Sequence, residues 1–122
     1  MLQSGRSPHA DELKSAARLW AERINVNVSQ IQVRLMRSKW ASISMAGRLT
    51  LNTDLLKIPK ELGELVIVHE LVHLLAPNHG KVFKSFMYAY LPDWEKREQM
   101  LRTYARSVEK ETKKDAGELM RF

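Results

Sequence analysis

Residues 69–79 read HELVHLLAPNH, and this stretch holds three of the four histidines in the 122-residue chain. Positions four apart lie on one face of an α-helix, so His69 and His73 can direct their imidazoles at one point. Glu70 stands beside the first of them, one residue further round the helix. The spacing therefore predicts a helix that presents two imidazoles and a carboxylate together.

A helix breaker separates the third histidine from the first two. Pro77 cannot continue an α-helix and disfavours helical dihedrals at the residue before it, so we expect the backbone to leave the helix just after Leu75. Asn78 and Gly80 suit the turn that must follow. Outside the helix, His79 can return toward the other two imidazoles, which a continuous helix would not allow.

Three histidines in this arrangement suit one tetrahedral zinc ion. A catalytic zinc site commonly uses three protein ligands and keeps its fourth position for water. The chain has no cysteine, which excludes disulfides and every thiolate-based zinc site. We therefore predict that His69, His73 and His79 bind one Zn²⁺ per chain, although other divalent metals also suit histidine ligands.

The residues before the histidines predict a buried helix that begins at Pro59. Glu61 and Glu64 lie near the positive end of its dipole. Apolar residues surround the remaining turns: Leu62, Leu65, Val66, Ile67, Val68, Leu71, Val72, Leu74 and Leu75. A helix that is apolar on nearly all sides is a buried one, and histidines and a glutamate inside it are costly unless something binds them. An H-E-x-x-H string alone arises by chance, so this setting and the third histidine carry the prediction.

The rest of the chain predicts an α+β fold in which a three-stranded sheet accompanies an N-terminal helix, the central histidine helix and two C-terminal helices. Alternating apolar residues indicate strands, and three- and four-residue apolar intervals indicate helices. We expect an amphipathic helix of about 17 residues from Ser7-Pro8 to the interruption at Asn25. Strands are expected near 31–35, 40–45 and 49–51, with a turn at Ala46-Gly47. The other expected elements are a capped turn near 52–58, a helix over 81–91 and a last helix from about Asp93.

The composition indicates one domain of residues 1–122, in which the polar residues 109–122 form an exposed or frayed tail. No apolar run is long enough to span a membrane and the N-terminus lacks a hydrophobic signal core, so a cytoplasmic location is the default expectation. The net charge of +6 permits weak association with nucleic acid, for which Lys81, Lys84 and the stretch from Arg97 to Lys114 are the densest basic segments. Solvated surfaces explain most of this charge.

Three stretches resemble the YgjP-like family of small metal-dependent peptidases, relatives of the SprT-like zinc peptidases. They are KWASISMAGRLTLN, VIVHELVHLLAPNHGKVFKSFM and LPDWEKREQML. The resemblance covers about residues 38–102 and is most specific in the histidine segment and in LPDW. The family pattern has Gly and Cys after the tryptophan where this chain has Ala41 and Ile43, so the substrate preference is expected to differ if those residues shape the cleft.

The resemblance implies a small zincin-like domain with His69, His73 and His79 as ligands and Glu70 as the catalytic carboxylate. Its activity would be hydrolysis of a peptide or protein substrate, with Glu70 taking the proton of a zinc-bound water and later passing it to the leaving amine. A sheet edge would lie along the cleft, and we expect the strand Arg48 to Asn52 to hold an extended peptide by β-augmentation.

The alternative is a non-catalytic, metal-stabilised binding module, docking on DNA or on DNA-bound protein. Glu70 beside the first ligand favours the enzyme, since a structural site has no need of it. Two further roles stay open in the sequence. Candidates for an additional oxyanion stabiliser are Tyr88, Tyr90 and the basic residues after the site. Candidates for a carboxylate that orients an imidazole are Glu61, Glu64, Asp93 and Glu95.

Overall fold

The structure, a computed structural model, describes residues 8–112, with side chains from His9 to Arg106. It has the predicted α+β architecture. The elements in chain order are α1 (Pro8–Ile24), β1 (Gln30–Arg34), β2 (Ala41–Ile43), β3 (Arg48–Asn52), a 3₁₀ turn (Thr53–Lys57), α2 (Lys60–Val72), α3 (Lys81–Tyr90) and α4 (Trp94–Thr112).

The three strands form a mixed sheet in the order β1-β3-β2. β1 runs parallel to β3, whereas β2 runs antiparallel to β3 as its hairpin partner. The expectation that β3 holds an extended peptide is wrong, because β3 is the central strand and both of its edges are already paired. β2 is an outer strand, and it packs against α2, which places a sheet edge on the side of the histidine helix.

The β2–β3 hairpin turns at Gly47, as the sequence predicts. Gly47 has a φ of +86°, and a Cβ at this position would lie 2.5 Å from the backbone oxygen of Asn27. β2 is shorter than predicted, since it ends at Ile43 and Met45 is 82% exposed in the turn. β1 begins and ends one residue earlier than predicted, and Leu35 is 69% exposed beyond its end. Alternation of apolar residues thus placed the end of both strands too late, since these two side chains are not buried.

The ends of the other elements follow local chemistry. Asn25 adopts a φ of +67° immediately after α1, and the amide of Val26 donates to the Ala21 carbonyl at 3.0 Å. This left-handed residue closes the helix, as expected for an asparagine in that place. The side chain of Asn52 accepts from the amide of Asp54 at 2.9 Å and so caps the 3₁₀ turn.

Helix α2 forms the centre of the molecule, and α1, β2, α3 and α4 all pack against it. Its buried residues are Leu62, Gly63, Leu65, Val66, Ile67, Val68, His69, Glu70, Leu71 and Val72. The prediction of a helix buried on nearly all sides is confirmed. A helix in this position is fixed by apolar contacts around its whole circumference, so the side chains that it carries are held in defined places.

Arg97 on α4 ties three helices together. Its guanidinium donates to Glu64 Oε1 at 2.8 Å, to the Glu61 carbonyl at 3.0 Å and to Asp93 Oδ1 at 3.0 Å. The other carboxylate oxygen of Glu64 accepts from Trp20 Nε1 at 3.0 Å. This network fixes α4 against α1 and the first turn of α2. Arg97 therefore serves the interior of the fold, although it belongs to one of the densest basic stretches.

The last helix buries Trp94, Leu101 and Ala105 against the core. Its backbone is helical to Thr112, while the side chain of Val108 and residues 113–122 of the expected tail lie outside the described residues. Among the described residues, no helix is both long and apolar enough to cross a membrane.

Candidate metal centre

The chain leaves α2 through a tight turn. The α-helix ends at Val72, three residues before the predicted end, but the amides of His73, Leu74 and Leu75 still bond to carbonyls three residues earlier, at 2.8–3.1 Å. Such i to i−3 bonds satisfy the carbonyls that a helix end leaves without partners. The backbone then departs before Pro77, where the sequence predicts it.

The three predicted imidazoles come together after this turn. One ring nitrogen from each of His69, His73 and His79 lies within 4.8 Å of the others. His73 Nε2 and His79 Nε2 lie 3.1 Å apart. Among the side chains that the structure describes, from His9 to Arg106, no fourth histidine, aspartate or glutamate joins this group.

A backbone carbonyl orients the second imidazole. His73 Nδ1 lies 3.2 Å from the Pro77 oxygen. A carbonyl can only accept, so Nδ1 carries the hydrogen and the Nε2 lone pair points toward His79. Metal-binding histidines are commonly oriented in this way by a second hydrogen bond. From the sequence, this partner was expected to be a carboxylate. The carbonyl of Pro77 accepts instead, so this residue both ends the helix and orients the imidazole.

A phenylalanine packs against all three imidazole rings. Phe83, on the first turn of α3, is 2% exposed, and its ring centroid lies 5.1, 4.9 and 4.7 Å from those of His69, His73 and His79. Helix α3, which the sequence predicts over 81–91, thus packs against the site through this ring. The ring therefore contacts every member of the imidazole cluster and also lines the cavity beside it.

Burial sets the charge of the first two histidines. His69 is 4% exposed, and burial lowers its pKa to about 3, with the neighbouring His79 acting in the same direction. Burial also lowers the pKa of His73, again with help from a neighbouring imidazole. Both rings are therefore neutral near pH 7, and the neutral imidazole is the form that binds a metal.

Burial acts in the opposite direction on Glu70. This carboxyl is 4% exposed, and burial raises its pKa to about 7, while His73, Lys39 and His79 each lower it. Its Oε2 lies 3.4 Å from His69 Nδ1. A carboxyl group with a pKa near neutrality, placed beside the imidazole cluster, can take up and release a proton near pH 7.

A cavity of about 560 Å³ opens beside His69 and His79. Its apolar lining comes from the residue before β2, from α3 and from α4: Trp40, Phe83, Trp94, Leu101 and Ala105. Its charged lining comes from α3 and α4: Lys84, Glu95, Glu98 and Arg102. The arrangement joins the imidazole cluster to a pocket large enough for a substrate side chain.

The structure shows the contacts of the tyrosines and carboxylates whose roles the sequence did not decide. Tyr90 packs edge-on against Trp20, with ring centroids 6.3 Å apart, so it serves the interface of α1 and α3. The Tyr88 hydroxyl donates to Glu95 at 2.6 Å, on the wall of the cavity. Glu64 and Asp93 are bonded to Arg97. Apart from the i, i+4 pair of Asp93 and Arg97, these contacts join different elements of the fold, so the sequence does not reveal them.

A small α+β domain with three convergent imidazoles beside a buried glutamate is typical of a metallopeptidase. The sequence model of the YgjP-like metallopeptidase domain matches residues 4–104. The chain therefore belongs to the YgjP-like metallopeptidase family, which confirms the resemblance. No curated protein matches the chain.

Two solved structures share the fold. The metallopeptidase zymogen abylysin of Pyrococcus abyssi superposes with a TM-score of 0.68 at 19% identity, over 77% of this chain and 95% of that one. The metallopeptidase zymogen jannalysin of Methanocaldococcus jannaschii superposes with a TM-score of 0.66 at 27% identity, over 73% of this chain and 92% of that one.

Proposed function

We propose that the protein is a zinc-dependent metallopeptidase in which His69, His73 and His79 hold the metal and Glu70 is the general base. The observation that carries this proposal is that a cluster of three imidazoles lies beside a buried carboxyl group. The three ring nitrogens lie within 4.8 Å of one another. Beside them, burial raises the pKa of Glu70 to about 7.

The donor set fits a zinc ion. Imidazole nitrogen is a preferred zinc donor, and three protein ligands leave the fourth position that a catalytic site requires. A bound divalent cation supplies a Lewis acid for the scissile carbonyl and lowers the pKa of water. Glu70 takes the proton of the attacking water and returns it to the leaving amine. His73 is kept in the ligand tautomer by the Pro77 carbonyl.

The sheet supports a binding mode for an extended peptide. β2 is the outer strand that packs against α2, and Trp40 directly before it lines the cavity beside His69. A substrate strand that pairs with the free edge of β2 would therefore run toward the imidazole cluster. This assigns to Ala41–Ile43 the role that the sequence analysis gave to β3.

The burial of Glu70 also supports an enzyme over a purely structural metal site. Burial of an ionised carboxylate costs stability unless it is paired, and Glu70 is only 4% exposed. A binding module would gain nothing from placing it beside the ligands. Docking on DNA has less support, because Arg97 in the basic stretch is engaged with Glu64 and Asp93.

The test compares Glu70→Gln with His73→Ala in zinc-loaded protein. Glu70→Gln should retain about one zinc per chain, because it removes no ligand, and should lower cleavage of a peptide library roughly 10²- to 10⁴-fold, the usual contribution of general acid–base catalysis. His73→Ala should lose both zinc and cleavage. Elemental analysis and mass spectrometry of the peptides measure the two quantities.

Glu22→Gln on the exposed surface of α1 is the matched control, since it makes the same chemical change far from the cluster and should behave as wild type. Full activity in Glu70→Gln would remove that residue from the mechanism. Loss of zinc in Glu70→Gln would instead make it a ligand.

A further inference from the structure

We infer that the segment of residues 34–40, which connects β1 to β2, binds acidic side chains of the substrate. We call this segment the β1–β2 loop. The inference rests on the proposed function, since it makes acidic polypeptides a preferred substrate class of the same site. Three features support it: unbalanced positive charge, a backbone that is held in place and a position beside the imidazole cluster.

The positive charge of this region is not balanced by carboxylates. Residues 23–53 include five basic residues and no aspartate or glutamate, although the whole chain has 14 acidic residues. Three of the basic residues belong to the loop: Arg34, Arg37 and Lys39. All three are exposed, and none of them pairs with a carboxylate among the side chains that the structure describes. Such a group of cations attracts a negatively charged partner.

A buried asparagine holds the backbone of the loop. Asn52, at the end of β3, is 0% exposed, and its Nδ2 donates to the carbonyls of Met36 at 3.1 Å and Lys39 at 2.7 Å. The backbone amide of Asn52 donates to the carbonyl of Trp40 at 2.9 Å. Because these bonds already order the loop, a partner that binds there causes less loss of conformational entropy.

The loop ends at the cavity beside the imidazole cluster. Trp40 lines this cavity together with two of the predicted metal ligands, and Lys39 lies near enough to Glu70 to lower the pKa of that carboxyl. Arg37 precedes Trp40 by three residues, so the two Cα atoms lie within roughly 11 Å of each other. An extended substrate spans this distance in about three or four residues. A carboxylate a few residues from the bond that would be cut therefore comes within reach of the loop.

The exposed groups of the loop favour an acidic polypeptide over nucleic acid. Proteins that bind single-stranded nucleic acid commonly provide aromatic rings on which bases stack. The one aromatic residue of the loop, Trp40, is 1% exposed and offers no face for stacking. Leu35 is instead 69% exposed. An exposed apolar side chain among cations suits a segment of mixed acidic and apolar residues better than a sugar–phosphate chain.

The first test uses pairs of peptides that differ only in Glu or Gln at one position, scanned about two to six residues from the cleavage site on both sides. Zinc-loaded wild type should cleave the Glu peptide with a kcat/KM roughly 2- to 5-fold higher at one or more positions, the range for an exposed ion pair. This ratio should fall to about 1 in 1 M salt, where the Debye length is about 3 Å. It should also fall to about 1 in Arg34→Gln/Arg37→Gln. Lys39 is left in place because it lies near Glu70.

Arg18→Gln/Arg48→Gln is the matched control. It makes the same chemical change twice, on exposed residues of α1 and β3, and leaves the same net charge. Arg48 lies roughly 13 Å from Asn52 along β3, beyond the Debye length of about 8 Å at physiological salt. The control should therefore keep the wild-type ratio.

Two kinetic results would overturn the inference. One is a wild-type ratio of about 1 at every position. The other is an equal fall of the ratio in both double variants, because net charge rather than the loop would then set the preference.

A second measurement requires no hydrolysis. Hexapeptides of alternating Glu-Ala and alternating Gln-Ala are titrated separately into zinc-loaded Glu70→Gln protein, and the backbone amide resonances are followed by NMR. The amides of residues 34–40 should shift more with the acidic peptide. Adding Arg34→Gln/Arg37→Gln should weaken this binding roughly 2- to 30-fold, as expected for two exposed ion pairs.

Equal shifts with the two peptides, or binding that the loop substitutions leave unchanged, would overturn the assignment. Tighter binding of an oligothymidylate of equal charge at the loop would also overturn it, in favour of nucleic acid. Selective binding of the acidic peptide at the loop of a protein whose wild type cleaves no peptide would support the surface and count against the proposed function. The two proposals can therefore fail separately.

Discussion

The two halves of the imidazole cluster are held in different ways. His69 and Glu70 are each 4% exposed and lie on a helix that is surrounded by the core, whereas His79 is exposed on a loop after Pro77. Apolar packing around α2 fixes the first half, whatever else is bound. The second half relies on a helix breaker, on the hydrogen bond from His73 to Pro77 and on the proposed metal. A preformed helical half and an adaptable loop half together make the site.

The largest effect should separate His69→Ala from His79→Ala. Both variants should lose zinc, as elemental analysis would measure. In EDTA, His69→Ala should lower the free energy of unfolding by about 2–4 kcal/mol, because it leaves a cavity in the core. His79→Ala should change it by less than about 0.5 kcal/mol, as exposed substitutions usually do.

Urea denaturation with a common m-value gives the comparison. Equal losses of stability in the two variants would contradict the division into a core half and a loop half. Zinc retained in His79→Ala would leave the core half as the complete metal site.

The sequence predicted the parts of the site that depend on neighbours along the chain. The four-residue spacing of His69 and His73 and the break at Pro77 are local features, so the helix and the returning histidine could be expected. The central position of β3 could not, because alternation reveals a strand but not its partners. The contact of Arg97 with Glu64 and the place of Trp94 beside the cavity join distant segments, and no local pattern encodes them.

Two glycines offer a matched test of the difference between the rigid core of the fold and the loop that carries His79. Gly47 has a φ of +86°, and an added Cβ would meet the Asn27 oxygen at 2.5 Å, so Gly47→Ala should cost about 2–3 kcal/mol of stability. Gly80 has a φ of −96°, and a Cβ there would meet nothing within 4 Å, so Gly80→Ala should change stability by less than about 0.5 kcal/mol.

Thermal and urea unfolding of the two alanine variants in EDTA measure the difference. A large loss of stability in Gly80→Ala would show that the loop that carries His79 is as constrained as the core of the fold. If Gly47→Ala is tolerated, the hairpin can move away from Asn27. The rigid part of the fold would then be smaller than the sheet and α2 together.

The smallest effect concerns the pH dependence of stability in the core half. The pKa of Glu70 is raised from 4.5 to about 7, so the folded protein binds a proton that the unfolded chain has lost. Its contribution is full below pH 4.5 and disappears as the pH rises to about 7. The pKa of His69 is lowered from 6.5 to about 3, so its contribution is full above pH 6.5 and disappears as the pH falls to about 3.

The two groups therefore oppose each other in EDTA-treated wild type between pH 4.5 and 6.5. Glu70→Gln removes the falling contribution, so the stability of this variant should rise with pH more steeply than that of wild type. The difference between the two proteins should change by roughly 1–3 kcal/mol between pH 4.5 and 7. Urea midpoints across this range measure it, with Glu22→Gln as the control for loss of an exposed carboxylate. Parallel profiles would mean that Glu70 titrates alike in the folded and unfolded chains, and burial on α2 would then not be what prepares this carboxylate to act as a base.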